Sequence, residues 1–555
     1  MTQTSYTGRA AFMELLIQEG VTHMFGNPGT TELALMEVVP QYPQMKYVLG
    51  LQESIVLGMA DGYGRASGKL SAVNLHCTPG LGHAMGALYT AKFSGSPIIV
   101  TAGQYELGYG LTEPLLYEPL VRIAEPLVKW AVEVERAEDL PRIVHRAAKI
   151  ALTPPTGPVF ISLPGSILDD SAVMNLGHPT RVQGTVQPDP ETLKALAARI
   201  RQSKRPVILA GHELGRHNCF AEAGELALKL GAAVYQESVP YNSRFPTDHP
   251  ASMGEITRNQ HKVLETLSQY DLLICLGADL LRMSPKASVE PLPEGMPVIH
   301  ISERDRELGK NYPTEMAIQA NVASTLRALL PLLEQTLSAD DRTRAKQRLD
   351  GLKATNWSTK RESLVQSLAQ HEHTSPAQAD YAVLQVVQAL TPETIVVDEN
   401  PTYSAMLFKL MHANSPSSYF GLTSGGLGFG MAGAIGASLA HPGRPVVATV
   451  GDGSSLYSIQ AMWTAANLKL PVTYVVLNNQ SYQIIKDRLV AMRHTDQFVG
   501  MDINDPAIDF LSVAKGFGLN ARRVERAADI QAALRQAIAS GKPSLIDIAI
   551  APAIA

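Results

Sequence analysis

Two short polar motifs in the last third of the chain have residue types and a spacing suited to binding a metal ion. One is a Gly-Asp-Gly triplet centred on Asp452, and the other is an Asn-Asn pair ending at Asn479, with 24 residues between them. Each follows an apolar, β-branched run that predicts a strand, at Val446–Val450 and Val472–Leu477. Because a strand–helix–strand unit brings both strand ends to one edge of a parallel sheet, we expect Asp452 and Asn479 to lie side by side.

Carboxylate and carboxamide oxygens are the hard ligands that magnesium prefers, in an octahedron completed by phosphate oxygens and water. Gly451 and Gly453 flank the aspartate and would let the backbone approach a diphosphate. Ser454 is expected to begin a helix that continues to Leu468, whose first amides would favour an anion. The motif therefore predicts a site for magnesium and a diphosphate.

A competing pattern precedes this motif. Residues Gly428 to Gly433 match the GxGxxG of dinucleotide-binding folds, and Asp452 follows at about the distance of a ribose-binding acid. That pattern alone would predict a nicotinamide or flavin enzyme. However, Asp452 lies between two glycines rather than at a bare strand end, and GxGxxG alone is a weak signal, so we favour the diphosphate site.

Glu53 is a second candidate for chemistry, in the first part of the chain. It follows the mostly apolar run Tyr47–Leu51 and precedes an apolar helix expected at Ser54–Ala66. A carboxyl group in an apolar setting can keep a proton near neutral pH and share it with a base. The alternative is an acid placed at a helix start only because the helix dipole favours it.

The elements that must position these residues alternate in a βα pattern typical of parallel sheets covered by helices. We predict an α/β protein of three doubly wound parallel-sheet domains, with boundaries at 1–180, 190–334 and 376–555 and a polar helical linker at 335–375. The strands expected besides those above are His23–Phe25, Ala72–Leu75, Ile98–Thr101, Val159–Leu163, Val207–Ala210, Ala233–Gln236, Leu272–Leu276, Val298–Ile301 and Ile395–Val397. Glycine-rich strand ends are concentrated in the first and third domains, so we expect the chemistry there.

Composition excludes several classes of function. The 555 residues are 45% hydrophobic and 18% charged with a net charge of −5, which is ordinary for a globular protein and gives no basic run for nucleic acid. We find no apolar run of the ~18–20 residues that a membrane span needs. The three widely spaced cysteines (Cys77, Cys219 and Cys275) predict neither disulfides nor a zinc site, and we expect a cytoplasmic protein.

These motifs resemble those of the thiamine-diphosphate-dependent decarboxylase and acetolactate synthase superfamily. The likeness extends over Gly26–Gly29, Glu53–Arg65, Gly80–Gly86, Pro158–Pro164, Gly425–Gly436 and Gly451–Asn479. It implies three domains: pyrimidine-binding, central Rossmann-like and diphosphate-binding. It also implies thiamine diphosphate and Mg²⁺ as cofactors, with an active site between the first domain of one subunit and the third domain of another, in a homodimer or homotetramer.

The resemblance also implies a role for each candidate residue. Asp452 and Asn479 would bind magnesium through side chains and Ser481 through its backbone carbonyl. Glu53 would be the acid that shares a proton with the pyrimidine ring. The remaining cofactor contacts would come from Gly426, Leu427 (the apolar wedge that bends the cofactor), Gly451, Gly453 and Ser454.

Within the superfamily, the sequence motifs are most similar to those of benzoylformate decarboxylase. His76 matches the first catalytic histidine, and Thr30 stands where that group has a serine that contacts the substrate carboxylate. Ser284 falls at the position of the second histidine and cannot titrate near neutral pH. His83 could take the place of the missing imidazole, or it could be a surface residue.

We therefore predict a lyase that decarboxylates a hydrophobic 2-oxo acid and joins aldehydes, with small-molecule substrates and neither nucleic acid nor membrane as partners. One alternative is a carboligase or lyase like acetolactate synthase or 2-hydroxyacyl-CoA lyase, and another is a catalytically silent cofactor-binding subunit. Relatives such as acetolactate synthase hold FAD in the central domain. Because Gly211–Gly215 is not a strong phosphate loop, we expect no FAD here.

Overall fold

The computed structural model describes residues 4–284 and 286–551. The chain divides into two compact units. The first consists of residues up to Gln183 together with Glu393–Thr402 and the chain from Leu422 onwards, and the second consists of Gly184–Pro392 and Tyr403–Gly421. The predicted fold class, α/β with parallel sheets, is confirmed.

The first part of unit 1 is a six-stranded parallel sheet whose four inner strands are buried along their whole length, whereas its two edge strands are partly exposed. From edge to edge its strands are Lys46–Leu49, His23–Gly26, Ser71–Leu75, Ile98–Gln104, Val159–Pro164 and Ala131–Glu133. Its helices are Gly8–Gln18, Leu33–Val38, Glu53–Ser67, Cys77–Ser94, Leu120–Ala124, Leu140–Leu152 and Gly165–Asp169. Thr4–Thr7 pairs separately with Ser171–Met174, antiparallel.

The second part of unit 1 contains five parallel strands, in the order Ile395–Glu399, Val446–Gly451, Val472–Asn478, Ser544–Ala549 and Asn520–Val524. Its helices are Phe429–Ala440, Asp452–Ser455, Ala461–Asn467, Gln483–Arg493, Phe510–Gly516 and Ile530–Ala539. The helix predicted from Ser454 to Leu468 is therefore wrong in one respect, since residues 456–460 interrupt it. Val446–Gly451 and Val472–Asn478 are neighbours in register, as the motif spacing requires.

Unit 2 is built around a third parallel sheet, in the order Ser252–Glu255, Ala233–Gln236, Pro206–Ala210, Leu272–Leu276, Val298–Ser302 and Met316–Gln319. Its helices are Pro190–Gln202, His212–Arg216, Phe220–Leu230, Gln260–Leu267, Val322–Thr336, Ala339–Leu352, Trp357–Leu368, Ala379–Ala389 and Ser404–Leu410, and Tyr419–Gly421 is a short strand. The polar stretch predicted to be helical is helical, at Ala339–Leu352 and Trp357–Leu368. In the described part of the chain, no helix is long and apolar enough to cross a membrane.

Within unit 1 the helix Glu53–Ser67 packs closely against the helix Phe429–Ala440. A Cβ at Gly62 would lie 2.3 Å from the carbonyl oxygen of Gly433, and one at Gly436 would lie 2.1 Å from that of Met59. Glycine inside a helix costs ~1 kcal/mol relative to alanine, so these glycines are explained by the close approach of the two backbones.

We expect Gly62→Ala to lower the midpoint of thermal unfolding, because the added methyl meets backbone that cannot move without separating the helices. Overpacking of this kind typically costs ~1–3 kcal/mol. The matched control is Gly86→Ala in the helix Cys77–Ser94, where a Cβ meets nothing within 4 Å and alanine should be neutral or stabilising. Equal midpoints for wild type and Gly62→Ala would contradict the close crossing.

Candidate active site

The strand Val446–Gly451 ends at Asp452, whose residue surface is only 3% exposed. Its Oδ1 accepts a hydrogen bond from the amide of Gly453 at 2.8 Å, whereas its Oδ2 is buried with no hydrogen-bond partner. Burial raises the pKa of this carboxyl to about 6, although backbone amides of Gly453, Gln480 and Ser481 oppose the rise. A buried acceptor without a hydrogen-bond partner lowers the stability of the fold, so a ligand bound at this oxygen would be favourable.

The neighbouring strand end supplies the other oxygen donors. Asn478 is fixed by donating from Nδ2 to Asp547 at 3.0 Å, and the chain then turns through Gln480, whose φ is +57°. Asn479 accepts from the amide of Ser481 through Oδ1 at 3.0 Å. The structure therefore brings Asp452, Asn479 and Ser481 to adjacent loops, and their carboxylate, carboxamide and carbonyl oxygens fit a hard cation.

Gly451, Gly453 and Ser454 of this loop differ in how much space surrounds them. A Cβ at Gly453 would lie 2.4 Å from the ring of Tyr482, so only glycine fits there. A Cβ at Gly451 would meet nothing closer than Ser454 Oγ at 3.5 Å, which is ordinary contact. Ser454 itself is 8% exposed and lies in the short helix that Asp452 begins.

A buried glutamate that the sequence analysis missed holds the loop around Leu427. Glu399 ends the strand Ile395–Glu399 and accepts from the amides of Gly428 at 2.9 Å and Gly430 at 2.7 Å. Burial raises its pKa to about 7. Leu427 is half-buried just before Gly428, where φ is +110°, so Glu399 fixes the backbone that carries Leu427.

Gly426 lies where the first part of unit 1 meets this loop. Its amide donates to Ser424 Oγ at 3.1 Å, and that hydroxyl is 2.8 Å from Thr90 Oγ1 of the helix Cys77–Ser94. A Cβ at Gly426 would lie 3.4 Å from Thr90 Oγ1. The Gly426 backbone is thereby tied to the helix that follows His76.

Glu53 begins the helix Glu53–Ser67 and is 8% exposed. Its Oε1 accepts from Asn27 Nδ2 at 3.4 Å, and its Oε2 lies 3.0 Å from His83 Nδ1. The helix start is capped by Gln52, whose side-chain oxygen accepts from the amide of Ser54 at 2.7 Å. The Glu53 carboxylate is therefore not needed as the cap, and it faces other polar side chains.

His76 precedes the helix Cys77–Ser94, and its Nδ1 lies 2.9 Å from Oε2 of Glu32 and 3.1 Å from the hydroxyl of Thr31. Glu32 is fully buried. Its carboxylate also accepts from Thr31 Oγ1 at 2.6 Å, from the amide of Gly29 at 2.9 Å and from that of Gly103 at 3.1 Å. Glu32 thus fixes the orientation of the His76 imidazole.

Comparison with known proteins decides the family. Models of the thiamine pyrophosphate enzyme match in three places: the N-terminal TPP binding domain at residues 6–114, the central domain at 193–329 and the C-terminal TPP binding domain at 402–548. The chain is 32% identical to benzoylformate decarboxylase of Pseudomonas aeruginosa over 98% of both chains. The chain belongs to the thiamine pyrophosphate enzyme family.

Other similar proteins agree. The large subunit of acetolactate synthase isozyme 1 from Escherichia coli is 29% identical over 99% of this chain and 95% of its own. A thiamine diphosphate-dependent 4-hydroxybenzoylformate decarboxylase from Rhodococcus jostii RHA1 superposes with a TM-score of 0.87 at 31% identity, over 98% of this chain and 99% of its own. Benzoylformate decarboxylase from Polynucleobacter necessarius gives a TM-score of 0.88 at 28% identity, over 99% of both chains.

Membership in the thiamine pyrophosphate enzyme family confirms three predictions: the family, an enzymatic function and thiamine diphosphate as cofactor. The predicted class, a thiamine-dependent decarboxylase or carboligase, agrees with both groups of relatives. The roles given to individual residues stay predictions. Glu53 bonds to Asn27 and His83, and His76 bonds to Glu32 and Thr31, in separate sets of contacts.

Two residues near His76 were predicted differently or missed. Thr30 is exposed at the start of a short 3₁₀ helix, Thr30–Glu32, and it is the neighbouring Thr31 whose hydroxyl contacts His76. Contact of Thr30 with a substrate stays a prediction. Glu32 was missed, although an acid three residues after Gly29 is a helix-start pattern that could have drawn attention to it.

We expect Glu399→Ala to weaken thiamine diphosphate binding by about tenfold to a hundredfold, because the amides of Gly428 and Gly430 lose their acceptor and the Leu427 loop loosens. This range corresponds to a total loss of ~1.4–2.8 kcal/mol of binding free energy. Titration calorimetry with Mg²⁺ in excess measures this. The exposed Glu393 serves as the matched control, and Glu393→Ala should bind normally. Wild-type affinity in Glu399→Ala would show that something else fixes the loop.

Proposed function

We propose that this protein decarboxylates a hydrophobic 2-oxo acid and that it also joins the aldehyde product to a second aldehyde. The observation that carries the proposal is the His76 imidazole, fixed through Nδ1 by the fully buried Glu32 while its side chain remains 22% exposed. An imidazole oriented in this way presents its other edge to a substrate, where it can bind a carboxylate and move a proton.

We propose Mg²⁺ as the ion at the Asp452 loop, bound by side-chain oxygens of Asp452 and Asn479 and by the carbonyl of Ser481. The partnerless Asp452 Oδ2 supports this, since a cation would compensate its burial. Gly451, Gly453 and Ser454 would lie against the diphosphate, and Gly426 and Leu427 against the rings. Thiamine diphosphate, when bound, supplies an electron sink for decarboxylation.

Glu53 would hold and return a proton at the pyrimidine ring. Its burial and its contacts with Asn27 and His83 support an acid that is positioned rather than solvated. His76 would orient the substrate carboxylate and then serve proton transfer to the product. Thr30 would add a hydroxyl to the same carboxylate.

The substrate would have an apolar tail. Leu427 and Leu456 lie in loops beside the cofactor motifs, and Ile484 and Ile485 lie in the first turn of the helix Gln483–Arg493. A charged tail would lose its hydration there without gaining a partner. The relatives that act on benzoylformate and 4-hydroxybenzoylformate support an aromatic 2-oxo acid.

We further propose a homodimer or homotetramer with active sites at subunit interfaces, in the cytoplasm. Exposed apolar side chains in the segment 107–116 support burial by another copy, since Leu111 is 92% and Leu115 86% exposed. Three buried cysteines without disulfides fit a reducing compartment.

We propose that the central domain works without FAD. At the edge of its sheet, the carboxylate of Glu237 accepts from the amide of His212 at 2.6 Å and from that of Asp279 at 2.9 Å. The Glu237 carboxylate thus accepts hydrogen bonds from backbone amides at a strand end. The phosphate of a bound nucleotide would need amides at the same place.

The second candidate is a carboligase in which joining, not aldehyde release, is the main activity. The full-length likeness to acetolactate synthase favours it, as does Ser284 at the position aligned with a second catalytic histidine. A catalytically silent subunit is disfavoured because Glu53, His76, Asp452 and Asn479 are all present.

We expect Asp452→Ala to lose most of its Mg²⁺-dependent affinity for thiamine diphosphate, because a charged ligand leaves a hard-cation site. Calorimetry with and without Mg²⁺ tests this, with circular dichroism to verify folding. The exposed Asp496 gives the matched variant Asp496→Ala, which should behave as wild type. Affinity in Asp452→Ala that is unchanged, or wild-type binding that persists in excess chelator, would contradict the metal site.

We expect carboligation to be prominent, because serine at position 284 offers no proton for aldehyde release. The holoenzyme is incubated with benzoylformate and excess acetaldehyde, and 2-hydroxy ketone is quantified against free aldehyde. Ser284→His should lower the hydroxy-ketone share. A higher share would refute this account of Ser284, and no turnover of any hydrophobic 2-oxo acid would refute the proposed substrate class.

A further inference from the structure

The imidazole of His83 has no catalytic role in the function proposed above. His83 lies in the helix Cys77–Ser94 with its side chain 60% exposed, and its Nδ1 is 3.0 Å from Oε2 of Glu53, whose side chain is 11% exposed. An exposed histidine beside an exposed acid would mean little. Here the acid is buried and is the group proposed to carry the proton.

The helix geometry shows that this contact is built into the fold. Gly80 and His83 are three residues apart and share one face of the helix, and His76 stands directly before the helix. A Cβ at Gly80 would lie 3.4 Å from His76 Cβ and 3.5 Å from Glu53 Cγ. The helix at Gly80 thus lies beside Glu53 at ordinary van der Waals distance, and the His83 ring, three residues further along the helix, reaches the carboxylate.

The other side of the ring is open. A Cβ at the adjacent Gly82 would meet nothing within 4 Å, and most of the His83 side chain is exposed. One nitrogen of the ring therefore contacts a buried carboxylate while the rest of the ring is accessible to water. This is the arrangement that a proton needs to pass between a buried acid and solvent.

We propose that His83 positions Glu53 and relays protons between Glu53 and water. In one direction, Nε2 takes a proton from water and Nδ1 gives its proton to the Glu53 carboxylate, which leaves a neutral ring and a protonated acid. In the other direction, Glu53 returns its proton to Nδ1 and Nε2 releases one to water. No bond other than N–H and O–H changes and no other reactant is needed.

This inference rests on the proposed function, because it gives His83 a role through Glu53. It also has a consequence in the protein without cofactor. A Glu53 carboxylate at Nδ1 holds neutral His83 in the Nδ1–H tautomer, because the hydrogen bond at one ring nitrogen decides which nitrogen carries the proton.

The first experiment is ¹⁵N NMR of cofactor-free protein labelled at histidine, with the His83 signals assigned by their loss in His83→Asn. We expect the Nδ1–H tautomer in wild type and a shift toward Nε2–H in Glu53→Ala. The same tautomer in both proteins would overturn the proposal. This result does not depend on catalysis, so it stands apart from success or failure of the proposed function.

The second experiment separates relay from positioning. In His83→Asn the amide nitrogen can still donate to Glu53 but cannot pass a proton on, whereas His83→Ala loses both abilities. The readout is exchange of the cofactor's acidic carbon-bound proton for deuterium in the holoenzyme, without substrate. We expect exchange to slow on the order of 10²-fold in both variants, at the lower end of general acid–base effects, and added imidazole to restore it in His83→Ala.

The control is His178→Asn at an exposed histidine, which should exchange as wild type. Wild-type exchange in His83→Asn would show that His83 only donates a hydrogen bond, and wild-type exchange in both variants would show that it does neither. Either result overturns the relay. A wild-type enzyme that exchanges normally but turns over no 2-oxo acid would instead refute the proposed substrate class and leave the relay intact.

Discussion

The close crossing of two glycine-bearing helices is the constraint on which unit 1 depends. Glu53 begins one of these helices, and Leu427 lies directly before the other. A Cβ at Gly58 would lie 2.8 Å from Ala432 Cβ and 3.7 Å from the carbonyl oxygen of Gly428, so the contact begins near both helix starts. Because the backbones touch, small changes in the crossing would displace the groups at the helix starts directly, without side chains to absorb them.

Three buried carboxylates then fix the loops at the strand ends. Glu32, Glu399 and Asp452 are each at most 3% exposed, and each accepts hydrogen bonds from backbone amides of a glycine. A buried carboxylate is costly unless such donors surround it, so these acids and their loops depend on each other. Glu32 and Glu399 use both oxygens in this way, whereas Asp452 keeps one oxygen without a hydrogen-bond partner. Glu32 and Glu399 therefore fix the loops of the site, whereas Asp452 keeps an oxygen that could bind an ion.

The sequence was sufficient where the signal is local. Every strand expected from an apolar run is present, and the register of Val446–Gly451 beside Val472–Asn478 brings Asp452 and Asn479 to one edge. Edge strands such as Asn520–Val524 were missed because they are polar and mostly exposed. Ser544–Ala549 was missed because Asp547 interrupts its apolar run, and that aspartate is buried only because Asn478 and Arg523 pair with it.

Glu32 and Glu399 could not be predicted as buried acceptors from the residues around them, because their partners lie far away along the chain. Glu32 binds the amide of Gly103, 71 residues away, and Glu399 binds amides about 30 residues further along the chain. Nothing in the neighbourhood of either glutamate distinguishes a buried acceptor from an acid on a helix surface. The placement of Asp452 beside Asn479 was predictable because the two motifs have a characteristic spacing. The partners of Glu32 and Glu399 are backbone amides, which any residue except proline supplies and which therefore leave no mark on composition.

His76, directly before the helix Cys77–Ser94, and His83, within that helix, contact carboxylates with different surroundings. His76 contacts Glu32, which is fully buried and also accepts from two amides, so only the imidazole of this pair is partly exposed, at 22%. His83 contacts Glu53, whose other carboxylate oxygen accepts a hydrogen bond from Asn27, and the His83 side chain is largely exposed. A rigid pair suits orientation of a substrate, because any rotation of the ring would break several buried hydrogen bonds. The His83–Glu53 pair suits proton exchange, because the exposed ring can exchange its proton with water while the buried side chains stay in place. One histidine directly before the helix and one histidine within it thus meet the two requirements separately.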